Sequence, residues 1–95
     1  MQLQIINSNS KGNCYILTDN DGIMLMIECG VHLDKIKEAT NFNLEKICGC
    51  ILTHEHMDHC KSAEQLSQFG VNIYTSAGTK ESLKFESRRI IAIPE

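Results

Sequence analysis

Leu3 and Ile5 alternate with Gln2 and Gln4, the two-residue period of a strand with one face buried. A polar, turn-rich stretch from Asn7 to Asn13 follows. Cys14 to Thr18 reads as a second strand, Asp19-Asn20-Asp21-Gly22 as a hairpin turn, and Ile23 to Glu28 as the returning strand. Cys29-Gly30 breaks that strand. Leu33, Ile36 and Ala39 then recur at helical spacing, which predicts a helix over 33–39. Ile47 to Leu52 is almost wholly apolar, the mark of a strand covered on both faces. Further on, from Asp58 or His59 to Phe69, Ala63, Leu66 and Phe69 or Gln65 fall at helical spacing, and Gly70 is placed to end that helix. Val71 to Thr75 predicts another strand, and Ser76 the cap of a short helix through Leu83. Arg89 to Ile93 predicts a last strand halted by Pro94. Strands first, then strand–helix–strand alternation, predict an α/β layer.

Ninety-five residues make a single domain, 1–95, with a modest core. The net charge of −3 and the absence of any Lys/Arg run exclude a module that binds nucleic acid through a basic stripe. They leave open a nucleic-acid substrate, because a bound metal adds positive charge that composition ignores. The N-terminus lacks a basic segment followed by an apolar run, and no apolar stretch approaches the roughly 20 residues that span a bilayer. A cytoplasmic protein without membrane association is expected. Five cysteines, an odd number, argue for reduced and mostly buried thiols. Strand alternation would place Cys48 and Cys50 on one face. No Gly-x-Gly-x-x-Gly or P-loop pattern occurs.

The candidate chemistry is concentrated directly after the apolar strand, in His54-Glu55-His56-Met57-Asp58-His59. Imidazole and carboxylate are the usual ligands of zinc and related divalent metals. In an extended segment His54 and His56 project to one side and can grip one ion, while Asp58 and His59 can reach a second. Two ions roughly 3.5–4 Å apart could activate a water near neutral pH. A helical His-Glu-x-x-His zinc site is excluded, since its fifth position is Asp58 here. Cys60 and His59 are sequence neighbours, which point apart on a helix and make a poor nucleophile pair. His32 stands alone and reads as a solvated or helix-starting residue.

The run Ile51-Leu52-Thr53-His54-Glu55-His56-Met57-Asp58-His59 closely resembles the signature of the metallo-β-lactamase superfamily. Ser8-Asn9-Ser10-Lys11-Gly12-Asn13-Cys14-Tyr15 is similar to the Gly-Asn-containing loop of the WalJ/YycJ-type, nuclease-like branch. Met26 to Gly30 matches the strand before the motif, and Val71 to Ser76 the strand and helix after it. The resemblance implies half of an αββα sandwich, with a mixed sheet and helices on one face. It implies one or two zinc ions, with manganese or iron as substitutes, and hydrolysis by activated water, with a phosphodiester or nucleic acid as substrate. His54 and His56 would bind the first metal, Asp58 and His59 the second, and Asp58 would also orient the attacking water.

Two departures from the family pattern stand out. Glu28 occupies the place of an aspartate that supports the metal loop, so that support is expected to shift or be lost. The family's remaining ligands lie later in the chain, and after His59 this sequence has neither His nor Asp. The expectation is therefore the N-terminal half of a hydrolase, with the missing ligands supplied by a second chain or a longer parent protein. The alternative is an inactive, truncated metal-binding or interaction module. Half a sandwich leaves apolar sheet surface to be covered, which predicts a homodimer or a complementing subunit.

Overall fold

The computed structural model describes residues 1–9, 12–53 and 60–94. Among these residues, six strands run in chain order: β1 (Gln2–Asn9), β2 (Gly12–Thr18), β3 (Met24–Cys29), β4 (Ile47–Ile51), β5 (Ile73–Thr75) and β6 (Ile90–Ala92). They form one sheet whose spatial order is also β1-β2-β3-β4-β5-β6. The first three are antiparallel neighbours, and β3 to β6 pair in parallel. Helices α1 (Leu33–Ala39), α2 (Ala63–Gln68) and α3 (Ala77–Ser82) fall in the connections between parallel strands. This is a mixed α/β sheet, as the sequence pattern predicts.

Local chemistry explains the punctuation. The Asp19 carboxylate accepts from the backbone N–H of Asp21 at 2.8 Å and of Ile23 at 2.9 Å. That closes the β2–β3 hairpin with Gly22 at φ 83°. Gly70, at φ 93°, ends α2, and the Val71 N–H turns back onto the Leu66 carbonyl at 3.0 Å. Ser76 caps α3 by accepting from the Thr79 N–H at 3.1 Å. His32 is the exposed residue preceding the first turn of α1, with no side-chain cap bond.

The core lies between the helices and one face of the sheet. Cys14, Ile16, Met26, Cys50 and Ile73 from the strands meet Ile36 of α1 and Ala63 and Leu66 of α2, all fully buried. The opposite face is also apolar. Directly paired strand residues share a face, so the ladders align Leu3, Leu17, Leu25 and Gly49 in one row across β1 to β4. A second row, Ile5, Tyr15, Ile27, Ile51, Tyr74 and Ile91, crosses all six strands. The Tyr74 ring lies over Gly49, where an added Cβ would come within 2.8 Å of it.

Three sequence expectations change here. Leu3 and Ile5 are 57% and 59% exposed, because the apolar side of β1 belongs to the face away from the helices. Likewise β4 is covered on one face only, with Ile51 exposed on the other. Nor do Cys48 and Cys50 share a face. The register slips by one residue between Ile47 and Gly49, leaving Cys48 exposed and Cys50 buried. Among the described residues no helix is long and apolar enough to cross a membrane.

Leu66→Ala should remove a fully buried side chain that joins α2 to the sheet. A loss of about 2–5 kcal/mol is expected, read as a lower midpoint in urea unfolding without a change in slope.

Candidate metal centre

β4 delivers its chain to the sheet end and stops at Ile51. The next two residues are held from both sides. Leu52 donates its N–H to the Tyr74 carbonyl at 2.9 Å, and its own carbonyl accepts from the Thr75 hydroxyl at 2.7 Å. On the other side Glu28 reaches across from the end of β3. Its Oε1 accepts from the Thr53 N–H at 2.8 Å and its Oε2 from the Thr53 hydroxyl at 2.5 Å. Both carboxylate oxygens thus engage the last residue before His54. The support expected from an aspartate at this place is kept by the longer glutamate.

The backbone at Glu28 is itself unusual. Glu28 sits at φ 63°, a left-handed conformation uncommon for a residue with a long side chain. Such a conformation costs of order 1–3 kcal/mol, and hydrogen bonds to a charged acceptor, worth about 1.5–3 kcal/mol each, are of the size needed to offset it. Glu28 is 5% exposed, while Thr53 is exposed and both bonds are part-buried.

The same stretch of chain also anchors the far side of the motif. The Ser62 N–H donates to the Cys29 carbonyl at 3.0 Å, and the Ser62 hydroxyl donates to the Val31 carbonyl. Residues 28–31 therefore hold Thr53 at one end of the candidate ligand run and Ser62, just before α2, at the other. Gly30 completes the arrangement: its N–H bonds the Asn13 carbonyl at 2.8 Å, and its own carbonyl packs against Gly12 where a Cβ would otherwise stand. Sequence reasoning missed Ser62, since nothing in a one-dimensional pattern signals a hydroxyl meeting a carbonyl 31 residues away.

Beneath this segment lie three fully buried thiols, Cys14, Cys29 and Cys50. Burial, then the neighbouring Cys29, then Glu28 push the Cys14 thiol up to about 12. Cys29 is raised well above its ordinary range by a hydrogen bond with Cys50 and by burial. Both are protonated, unreactive core residues at neutral pH, in keeping with the reduced, mostly buried thiols expected from the count.

His54, His56, Asp58 and His59 themselves lie outside the described residues. Among the described residues no group of three or more His, Cys, Asp or Glu could hold a metal. What the structure places is the frame on either side of the motif. The donor set, three imidazoles and a carboxylate, has the chemistry that divalent first-row metals select.

A mixed sheet with helices on one face, and a His/Asp run entered from the end of a parallel strand, define a metallohydrolase-type fold. The chain belongs to the metallo-beta-lactamase superfamily, whose family model matches residues 9–89. It is 27% identical over 89 residues to the anti-Pycsar protein Apyc1 of Bacillus phage 010DV004, covering 87% of this chain and 34% of that protein. It is 29% identical over 96 residues to BaeB of Bacillus velezensis, a probable polyketide biosynthesis zinc-dependent hydrolase, covering 99% of this chain and 43% of that protein. Among solved structures, that of a peroxy diiron species of the chemotaxis sensor ODP superimposes with TM-score 0.79 at 16% identity, covering 97% of this chain and 40% of the other. The chain thus spans between about a third and under half the length of these curated relatives.

Two outcomes are expected from this geometry. Glu28→Ala, which removes both acceptors of the Thr53 bonds, should cost about 1–3 kcal/mol, read as a lower midpoint in urea unfolding without a change in slope. The second concerns pH. The folded Cys14 thiol ionises near 12 and its unfolded counterpart near 9.0, so folding favours the protonated form. That contribution is complete below pH 9 and is lost as pH rises towards 12. Urea midpoints should therefore fall across this window, and Cys14→Ala should flatten the decline.

Proposed function

We propose that this protein is a metal-dependent hydrolase acting on phosphodiesters, nuclease-like in its choice of substrate. The observation that carries the reading is the Glu28 carboxylate holding Thr53 by two hydrogen bonds, immediately before His54-x-His56-x-Asp58-His59. A carboxylate would not be buried and a backbone strained at that position without something for the following residues to do. His54 and His56 would hold one ion, and Asp58 and His59 a second. A bound ion would supply a Lewis acid and lower the pKa of a water molecule. Asp58 would orient that water; Thr53 and Ser62, on either side of the run, are both held by residues 28–31. Zinc is the preferred ion, consistent with the zinc dependence named for BaeB; manganese or iron suit the same donors. The loop around Gly12-Asn13 supports the WalJ/YycJ-type branch. The remaining ligands would come from a second chain or a longer parent protein.

A second reading is favoured by one observation: the sequence after His59 contains no His and no Asp. On that reading the chain binds metal without turnover, as a closed structural site or an interaction module. Metal content by elemental analysis, with hydrolysis of bis-p-nitrophenyl phosphate, separates the two. Stoichiometric zinc that is lost in a His54→Ala, His56→Ala double variant, with turnover lost alongside it, is the expected result. Tight zinc binding with no turnover selects the second reading, and undiminished metal in the double variant rejects the site.

A further inference from the structure

We propose that Ser62 is a positioning residue for the metal run, tying its far end to residues 28–31 and thereby strengthening the hold of the chain on a divalent ion. The inference rests on the reading of His54-x-His56-x-Asp58-His59 as a metal site. A serine just before a helix ordinarily turns its hydroxyl onto that helix, accepting from an N–H of the first turn. Ser76 does this ahead of α3. Ser62 precedes α2 and makes no such cap bond. Its hydroxyl donates instead to the Val31 carbonyl, 31 positions earlier, and its N–H to the Cys29 carbonyl at 3.0 Å. Ser62 and Cys29 are fully buried and Val31 nearly so, which keeps the pair of bonds away from water. The hydroxyl therefore serves a tertiary tie and not the helix.

Its place in the sequence gives that tie a consequence. Ser62 stands shortly after His59, and Thr53 immediately before His54. Glu28 holds Thr53 across 25 positions. All four candidate ligands thus lie on a stretch whose two ends are attached to the same four consecutive residues. Gathering ligands around one ion costs chain entropy, and less of it when the ends of the stretch are already fixed. Releasing one end returns that cost to the binding step.

Zinc affinity of the full chain, measured by competition with a chromophoric chelator, tests this. Ser62→Ala should weaken zinc binding several-fold, up to about tenfold, the size of one buried hydrogen bond expressed as an affinity ratio. Leu66→Ala removes a fully buried side chain of α2 that makes neither tie. It should lower the urea midpoint and leave zinc affinity unchanged, since binding to a folded chain does not sense a stability that still exceeds the unfolding threshold. The visible spectrum of the cobalt-loaded chain supplies a second readout, expected to change in Ser62→Ala and to match the wild type in Leu66→Ala. Zinc bound equally well by wild type and Ser62→Ala overturns the proposal alone, as does equal weakening by Leu66→Ala. A folded wild-type chain that binds no zinc overturns the metal-site reading and the proposal with it. If Ser62→Ala does not fold, Ser62→Cys, similar in size but a weak donor, should weaken zinc binding in its place. Unchanged affinity in Ser62→Cys then overturns the proposal.

Discussion

The grip of the Glu28 carboxylate on Thr53 is the constraint around which the end of the sheet leading to His54 is arranged. It joins the end of the hairpin's second strand to the chain just beyond the central parallel strand, 25 positions later. Leu52 is tied to β5 at the same point, so the sheet end is cross-linked over three consecutive strands. The carbonyls of Cys29 and Val31 extend the same support to Ser62. A run of four residues without regular structure of its own beyond Cys29 becomes the platform on which two distant stretches are set. Glu28 makes these bonds from a left-handed backbone conformation, φ 63°.

Much of this was legible in the sequence, for reasons that differ by element. Strands β2 to β6 and helices α1 to α3 follow hydrophobic period and punctuation closely, because Asp19, Gly22, Gly70 and Ser76 act through short-range chemistry that neighbours alone determine. Which apolar face meets the helices is a different kind of fact. Leu3 and Ile5 have the pattern of a buried strand, yet pattern specifies only that a face is apolar and not what lies over it. The Cys48 register slip was invisible for a related reason, since a bulge depends on the partner strand. At the site, the His/Asp run is a candidate from its spacing and lies outside the described residues, whereas Glu28 read as a weakened support. Comparing side-chain lengths leaves out backbone conformation, and a φ of 63° at Glu28 cannot be read from residue names.

The sheet also divides the labour of its two sides. On the helix side, burial of Ile16, Met26, Cys50 and Ile73 gives the chain its own core. Even the thiols there serve packing, held protonated by their surroundings. The other side carries a comparable set of aliphatic and aromatic residues with far less cover. Membership of the metallo-beta-lactamase superfamily accounts for the architecture, and the chain spans less than half the length of these curated relatives.

The strand order has a consequence for how such a chain comes into being. Each strand pairs with the one made just before it, so no ladder waits for a partner more than one strand away. Emerging from the ribosome, the sheet could grow from β1 outwards by simple accretion, each addition completing the previous edge. Long-range pairings are the slow and aggregation-exposed part of β-sheet formation. A sequential sheet keeps them to the helical crossovers, and besides β1 leaves only its latest strand open at any moment.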